Sequence, residues 1–460
     1  MNLKKKRHLF RNSGKWWLVA QYVFFLMRLF YRKIVVEGRE NIPAKGPIIF
    51  APNHQNALMD PLAIHYGARL QTIFLARADI FKIPVLRNLF FWLKIIPVYR
   101  MRDGKENLSN NDASFNVAVE VLEKGRSVGI FPEAAHSNQR RLLPLRKGVP
   151  RMAFLAEENN NFKLGVQVMP AGIYFSDYEN MRSVLHIRFG KPIPVKDFED
   201  PYRENPQKAM LKLRDAIGEQ LKGLSLNIRN QEYYDAFYCA AEIFADPLLA
   251  ARGEKKINQQ KKFEVQKEMI SALEGALASN PEEMADFRGK MLHLLHLLKK
   301  LGLKWAFFRL PPKSFFSAFG SIALLFLSLP VFLYGLVNNI LFYGSVIPLL
   351  KKIKDRQFHS SVKFVWGLAI SPFFYLIQAA VVYAIWGSWL WSLAYLVSLP
   401  VTGFAARVYV EKVRKTWQNV RLWRLRSFRQ VDYKKISLGY GQLLADLSDL
   451  MQRDLNPDKP

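Results

Sequence analysis

Residues 53–61 read Asn53-His54-Gln55-Asn56-Ala57-Leu58-Met59-Asp60-Pro61, and they follow an apolar run over 47–51. The run predicts a buried strand, so His54 follows a strand directly, where a side chain can project into a cleft. A carboxylate that accepts the Nδ1–H of a histidine leaves Nε2 to take a proton from a substrate. The stretch therefore predicts His54 as a base and Asp60 as its orienting partner. A second interpretation stays open, because Asp60-Pro61 also has the form of a helix N-cap followed by proline.

The chain over 34–224 alternates short apolar runs with helical patterns. Strands are predicted over 47–51, 95–99, 127–131, 166–170 and 185–189, and helices over 61–68, 110–124 and 149–159. Alternation of this kind is typical of an α/β domain. From residue 206 to residue 301 the strand signals vanish and helical spacing dominates.

Two arginines follow the strand predicted over 95–99. Arg100 and Arg102 are two positions apart, so they point to the same side of an extended chain. Guanidinium groups match the geometry of phosphate oxygens, which makes the pair a candidate phosphate site. The alternative is a pair of solvated surface cations.

Two more predicted strands end at functional candidates. The strand over 127–131 ends at a Pro-Glu turn, where the carboxylate of Glu133 could hold an arginine or a substrate hydroxyl. A cationic loop follows, with Arg140, Arg141, Arg146 and Lys147. The alternative is a turn with a solvated, charged loop. Pro170 ends the strand over 166–170 and by itself indicates only a strand end.

The order of these four blocks resembles the glycerolipid acyltransferase family, which contains lysophosphatidic acid and glycerol-3-phosphate acyltransferases. The resemblance covers residues 34–195 and implies an α/β fold with a mixed sheet and flanking helices, followed by a helical segment and C-terminal transmembrane helices. It implies that His54 is the catalytic base and Asp60 its orienting carboxylate. It also implies that Arg100 binds the acceptor phosphate, that Glu133 belongs to the acceptor site, and that Pro170 lies in a strand linked to the acyl pocket.

Two departures from the family pattern concern the acceptor. Five residues separate His54 from Asp60, where four are usual; some members that acylate glycerol-3-phosphate or dihydroxyacetone phosphate are similar to this longer form. The block after Glu133 reads Ala-Ala-His instead of Gly-Thr-Arg. Another cation would have to replace the missing arginine, and the candidates are Arg102, Arg140 and Lys147.

The resemblance implies transfer of a fatty acyl chain to a hydroxyl of lysophosphatidic acid or glycerol-3-phosphate in phospholipid synthesis. The donor would be acyl-CoA or acyl-carrier protein, acting as a co-substrate, and no metal or cofactor is implied. One alternative is an acyltransferase for another lysophospholipid or an amino-lipid. Another is a catalytically inactive, membrane-anchored lipid-binding or scaffold protein, against which the pair of His54 and Asp60 counts.

The net charge of the 460-residue chain is +29, from 67 basic and 38 acidic residues. Such an excess predicts an anionic partner. Long apolar runs favour membrane lipid, and no recognised motif supports nucleic acid. The single cysteine, Cys239, excludes an intramolecular disulfide and a multi-cysteine zinc site.

Two long stretches, 314–350 and 364–406, contain no charged residue and no histidine. Basic residues dominate their flanks at 299–313, 351–363 and 407–430, which predicts that all three flanks are cytoplasmic. Each stretch must then leave the membrane and return, so two helical hairpins are predicted, with breaks near Pro330 and near Gly387-Ser388. A single crossing per stretch is the alternative.

Five regions are expected along the chain. A basic interfacial helix over 1–33 precedes an α/β acyltransferase domain over 34–224 and a helical segment over 225–313. A membrane region of two hairpins over 314–410 and a basic cytoplasmic tail over 411–460 complete the division. The protein is thus predicted to be a multi-pass membrane protein with its catalytic domain on the cytoplasmic face.

Overall fold

The computed structural model of the protein describes residues 14–78, 81, 87, 90–98, 109–135, 137, 139–304 and 315–455. These residues form two compact units. The first consists of the described residues of Met1–Asn227 together with Ile353–Phe364, and the second consists of those of Ile228–Lys352 and Val365–Pro460. The candidate site lies in the first unit.

The first unit is built on one mixed sheet. Its strands are β1 (Lys33–Glu37), β2 (Ile48–Pro52), β3 (Ile73–Arg77), β4 (Ile95–Val98), β5 (Ser127–Gly129), β6 (Gln167–Phe175), β7 (Val184–Phe189) and β8 (Ile193–Pro194). They lie in the order β1-β7-β6-β2-β5-β3-β4, and β8 pairs with β6. The pairs of β6 with β7 and β8 are antiparallel and the other pairs are parallel. The predicted α/β fold with a mixed sheet is therefore confirmed.

Helices cover both faces of this sheet. The helices of the first unit are α1 (Gly14–Phe30), α2 (Met59–Ala68), α3 (Ser109–Glu123), α4 (Gly148–Glu158), α5 (Glu199–Glu204) and α6 (Pro206–Leu224). Along β2 the buried side chains alternate: Ile49 and Ala51 pack with α3, α4 and α6, whereas Ile48 and Phe50 pack with α1 and α2. Because successive side chains of a strand point to opposite faces, β2 contributes to two apolar layers at once.

Helix α1 occupies the position of the predicted interfacial helix. One side of the helix buries Trp16, Ala20, Phe24 and Met27 in the apolar layer it shares with α2. The opposite side exposes Leu18, which is 74% accessible. An apolar exposed side suits the headgroup region of a membrane, and the interfacial role stays a prediction.

The second unit is helical. Its helices are α7 (Tyr234–Ala251), α8 (Gln259–Ser279), α9 (Pro281–Lys300), α10 (Phe315–Ser345), α11 (Ile347–Lys352), α13 (Trp389–Phe428) and α14 (Gln430–Leu455). Helix α12 (His359–Trp386) begins in the first unit and continues into the second. Three described stretches are long and apolar enough to cross a membrane: Gly320–Lys352, Arg356–Trp386 and Trp389–Phe428.

The predicted break near Pro330 is wrong, because α10 continues through this proline without interruption. Apolar helices tolerate proline, since neighbouring helices and local adjustment satisfy the freed backbone groups. The first apolar stretch therefore contains one long helix instead of a hairpin. The break predicted near Gly387-Ser388 is confirmed: α12 ends at Trp386, α13 begins at Trp389, and Gly387 has a φ of +65°.

Helices α10 and α13 approach each other closely at small residues. A Cβ on Gly335 would lie 2.3 Å from the carbonyl oxygen of Thr402, and one on Gly403 would lie 2.8 Å from Oδ1 of Asn339. Both distances are shorter than any tolerable contact. Glycine at these two positions is what lets the two helices touch, as in other tightly packed apolar helix pairs.

Candidate active site

The site is built where two neighbouring parallel strands end. His54 follows β2 and Glu133 follows β5, and these strands pair in parallel, so both residues emerge at the same edge of the sheet. The carboxyl edge of parallel strands is the usual position of functional residues in open α/β sheets. Asn53 fixes the exit of β2, because its side chain bonds both the N–H and the C=O of Ile173 in β6.

His54 and Asp60 form a close pair. Nδ1 of His54 lies 2.8 Å from Oδ2 of Asp60. A carboxylate oxygen can only accept, so Nδ1 carries the donated hydrogen and Nε2 is the nitrogen that can take a proton. Asp60 has no exposed side-chain surface, whereas the His54 side chain is 17% exposed. The pair therefore has a buried orienting carboxylate and a histidine that solvent can reach.

Asp60 also organises the loop between the two residues. Its Oδ2 accepts the backbone N–H groups of Gln55 at 2.8 Å and Asn56 at 2.7 Å. Helix α2 starts at Met59, with Leu58 as its capping residue, so the alternative that Asp60 is the N-cap is wrong. The side chain of Asp60 satisfies the backbone of the preceding loop instead of the first turn of the helix.

The five residues between His54 and Asp60 include one in an unusual backbone conformation. Ala57 has a φ of +40°, in the left-handed region that residues other than glycine rarely adopt. This local conformation is unfavourable by itself, so the loop depends on its side-chain contacts. Gln55 supplies one, since its Oε1 accepts the hydroxyl of Tyr178 at 2.7 Å.

Glu133 joins the two strand ends. Its Oε1 accepts the backbone N–H of His54, and its Oε2 accepts the N–H of Leu143, each at 2.8 Å. Burial raises the pKa of Glu133 from 4.5 to about 8, although the two N–H donors oppose this effect. Glu133 thus holds the His54 backbone directly, whereas the resemblance assigned it to the acceptor site.

The imidazole of His54 is also supported by a ring. Phe131 stacks on it, with ring centroids 4.0 Å apart and an interplanar angle of 19°. The carbonyl oxygen of His54 accepts the N–H of Ser137 at 3.3 Å. The ring contact and the Asp60 bond together limit rotation of the imidazole, which is the condition for a base to meet a substrate in one orientation.

Residues 33–174 match the model of the Acyltransferase family. These residues form an acyltransferase domain. The chain is 30% identical over 153 residues to a 1-acyl-sn-glycerol-3-phosphate acyltransferase of Borreliella burgdorferi. This alignment covers 33% of this chain and 56% of that protein. The chain is 28% identical over 204 residues to glycerol-3-phosphate O-acyltransferase 2 of Saccharomyces cerevisiae. This alignment covers 42% of this chain and 26% of the yeast protein. The match thus spans little more than half of the bacterial relative and about a quarter of the yeast relative.

A solved structure also matches part of this chain. The crystal structure of the 1-acyl-sn-glycerophosphate acyltransferase PlsC from Thermotoga maritima matches with 22% identity and a TM-score of 0.33. The match covers 46% of this chain and 85% of that chain.

Of the three cations predicted to bind substrate, Arg100, Arg102 and Lys147, the structure describes only Lys147. Arg100 and Arg102 lie outside the described residues. Lys147 is exposed just before α4, and its Nζ donates to Oε1 of Gln207 at 3.0 Å. Its charge therefore remains accessible to an anionic ligand from solvent.

Pro170 lies within β6 and not at its end, since the strand continues to Phe175. It pairs with Ala51 of β2, at the point where β6 changes its partner on the other side from β8 to β7. A proline cannot donate to a ladder, and this change of partner is where a missing donor is tolerated. Pro170 is therefore a buried strand residue beside the strand that carries His54.

Arg140 belongs to the protein interior of the acyltransferase domain. Its side chain is 1% exposed, donates to the carbonyl oxygen of Phe175, and lies over the rings of Tyr174 and Tyr178 at 4.5 and 4.3 Å. A buried guanidinium with these contacts stabilises the loop around it. Arg140 was one of the three cations proposed to replace the missing arginine, and its guanidinium group is instead buried in these interior contacts.

Several residues that organise the site were not predicted from the sequence. Asn53 and Asn56 are part of the quoted motif, and amide side chains on either side of a predicted base are the sequence signal that could have singled them out. Phe131 is the last residue of the apolar run over 127–131, so the sequence indicated a residue of the hydrophobic core. Among the described residues, no group of three or more His, Cys, Asp or Glu side chains has the arrangement of a metal site.

Proposed function

We propose that this protein is a membrane-bound acyltransferase that moves a fatty acyl chain from a thioester to a hydroxyl of a glycerol-phosphate-type acceptor. The observation that carries the proposal is the 2.8 Å contact between His54 and a fully buried Asp60 at the carboxyl edge of the sheet. The names of the relatives support the substrate class, since they are acyltransferases of glycerol-3-phosphate or its 1-acyl derivative. Phospholipid synthesis is the corresponding role.

In the proposed reaction, Nε2 of His54 takes the proton of the acceptor hydroxyl while the hydroxyl oxygen attacks the thioester carbonyl carbon. Asp60 stabilises the imidazolium that forms. The tetrahedral intermediate then collapses, the C–S bond breaks, and His54 returns the proton to the leaving thiolate. The acyl oxygen ester and a free thiol are the products, so the base is regenerated in each cycle.

The donor we propose is acyl-CoA or acyl-carrier protein, and the acceptor is lysophosphatidic acid or glycerol-3-phosphate. Either acceptor carries a phosphate, which needs a cation. Arg100 and Arg102 remain our candidates from the sequence, and Lys147 is an exposed cation in the loop after Glu133. Glu133 acts in this proposal on the backbone of His54 and only indirectly on the acceptor.

We further propose that the catalytic domain faces the cytoplasm. The segment Ile353–Phe364 belongs to the same compact unit as the catalytic loop, and it leads into the apolar helix α12. Residues 351–363 carry five basic side chains and one acidic one. Basic flanks of membrane helices stay on the cytoplasmic side, and the domain that contains this flank stays with it. In this proposal both ends of α10 therefore lie on the cytoplasmic side, so α10 does not complete a crossing of the membrane.

The experiment is an acyl-transfer assay on the full-length protein in detergent or vesicles. Wild type and His54→Ala are incubated with acyl-CoA or acyl-carrier-protein donors and with glycerol-3-phosphate or lysophosphatidic acid, and products are identified by mass spectrometry. We expect a new phospholipid or lysophospholipid from wild type and a loss of about 10²–10⁴ in rate for the variant. Wild type that transfers no acyl chain to any acceptor, or a variant that keeps half its rate, contradicts the proposal.

A further inference from the structure

The start of an apolar helix is part of the acyltransferase unit. Lys363 in the first turns of α12 donates from Nζ to the carbonyl oxygen of Glu179 at 2.8 Å, and Arg356 lies 3.8 Å from the carboxylate of the same residue. The ring of Phe364 packs edge-on against Phe30, with centroids 5.6 Å apart. These contacts seat the segment Ile353–Phe364 beside the loop that carries the catalytic pair.

Ser360 makes the contact that matters for the site. Its hydroxyl donates to Oδ1 of Asn56 at 2.7 Å, and the two residues are 2% and 1% exposed. The Nδ2 of Asn56 donates to the carbonyl oxygen of Tyr178 at 3.3 Å. Since the amide nitrogen faces a carbonyl, the amide oxygen faces Ser360, and the direction of both bonds is determined.

Asn56 in turn belongs to the loop that aligns the base. Its backbone N–H donates to the same Oδ2 of Asp60 that receives Nδ1 of His54. The next residue, Ala57, has the left-handed φ of +40°. A loop that contains an unfavourable conformation is held in place by the bonds on either side of it, and the side chain of Asn56 makes two of them.

We infer that Ser360 is a positioning residue for the reaction: it holds Asn56, and through Asn56 it keeps the loop in the shape in which Asp60 meets His54. This inference rests on the proposed acyltransferase function. It makes full turnover depend on the seating of α12, because the hydroxyl lies in the first turn of that helix. The linkage runs Ser360–Asn56–Asp60–His54, entirely through buried or part-buried hydrogen bonds.

The test compares Ser360→Ala with Ser361→Ala in the full-length protein. Ser361 is the adjacent residue, is also buried, and its hydroxyl has no hydrogen-bond partner among the described residues. Losing the Ser360 bond leaves the amide oxygen of Asn56 buried without a donor. We expect Ser360→Ala to lower kcat about tenfold, a typical effect of one buried bond, with both KM values within about twofold of wild type. Ser361→Ala should match wild type in all three.

A double-mutant cycle separates positioning from general stability. If Ser360 acts through Asn56, then Ser360→Ala added to Asn56→Ala should cause little further loss of kcat. Additive losses, or a tenfold loss that disappears when rates are normalised to folded protein, would assign Ser360 a purely structural role. Ser360→Cys keeps nearly the same volume and weakens the donor, so it replaces Ser360→Ala if the alanine variant does not fold.

The outcomes also separate this inference from the function on which it rests. Wild type without acyl transfer would overturn the proposed function and this role of Ser360 together. Active wild type, with Ser360→Ala at full kcat, would overturn only the role of Ser360.

Discussion

At the scale of single residues, Asp60 has the most concentrated set of bonds in the site. One oxygen accepts His54 and two backbone N–H groups. In Asp60→Asn the negative charge that stabilises an imidazolium is lost, whereas the amide oxygen can still accept the same donors. We expect kcat to fall by about 10²–10⁴, with little change in donor KM. Asp200→Asn, which removes a charge at an exposed position of α5, is the matched control in the same steady-state assay and should keep the wild-type rate.

Buried His65 of α2 makes the free energy of unfolding depend on pH. Burial lowers the pKa of His65 from 6.5 to about 4, although its bond to the carbonyl oxygen of Leu70 opposes this effect. The unfolded chain therefore takes up a proton at a higher pH than the folded chain does. The stability that neutral His65 contributes is present above pH 6.5 and is lost as the pH falls through about 4.

The prediction for His65 is a change in the slope of stability against pH. His65→Gln should show a smaller loss of unfolding free energy between pH 7 and pH 4 than wild type does. Denaturant titrations at several pH values measure it, and His293→Gln, at an exposed position of α9, should keep the wild-type slope. Equal slopes for wild type and His65→Gln would mean that His65 is not held neutral by the fold.

At the scale of elements, apolar runs in the sequence predicted five of the strands of the sheet. The five predicted strands correspond to β2, β4, β5, β6 and β7. The edge strand β1 was not predicted, because Lys33 and Glu37 begin and end it and its residues are only partly buried. Strand β3 was not predicted, because its apolar run over 73–76 is short and ends at Arg77. Apolar runs indicate burial, so the partly buried β1 and the partly buried end of β3 give a weaker signal in the sequence.

The pairing of α10 with α13 makes a prediction at the same scale. Gly335→Ala would place a Cβ 2.3 Å from the carbonyl oxygen of Thr402, so the helices must separate. Overpacking of this kind costs about 1–3 kcal/mol, and we expect a lower unfolding temperature in detergent. Gly344→Ala changes the same helix where no atom lies within 4 Å, and it should leave the unfolding temperature the same or slightly higher. Equal effects of both variants would argue against close packing at Gly335.

At the scale of the whole molecule, the sequence could indicate which residues make up the catalytic pair but not everything that holds it. His54 and Asp60 are six positions apart in one motif, so their contact follows from a short loop. Ser360 is 304 positions from Asn56. Nothing in either segment's composition or periodicity predicts that contact, because it depends on how tertiary packing brings a helix start against a loop.

The proposed topology gives a prediction for the intact protein in cells. In a Cys239→Ser background, Lys354→Cys should be protected from an impermeant thiol reagent, and Ser388→Cys should be labelled. Lys354 is exposed in the basic segment before α12, whereas Ser388 lies in the break between α12 and α13. Permeabilised cells, in which both positions should react, provide the control. Labelling of the Lys354 position in intact cells would reverse the orientation that we propose.

The bond between Asn56 and Ser360 also sets an order of events during synthesis. A ribosome adds about 5–20 residues per second, so the loop that holds Asn56 leaves the tunnel roughly 15–60 s before its partner does. The sheet and most of its helices are complete by residue 224, yet the hydroxyl that reaches Asn56 arrives only with the second long apolar helix. In the topology that we propose, a nascent chain therefore carries an unfinished catalytic loop until α12 enters the bilayer, so completion of the site follows membrane insertion.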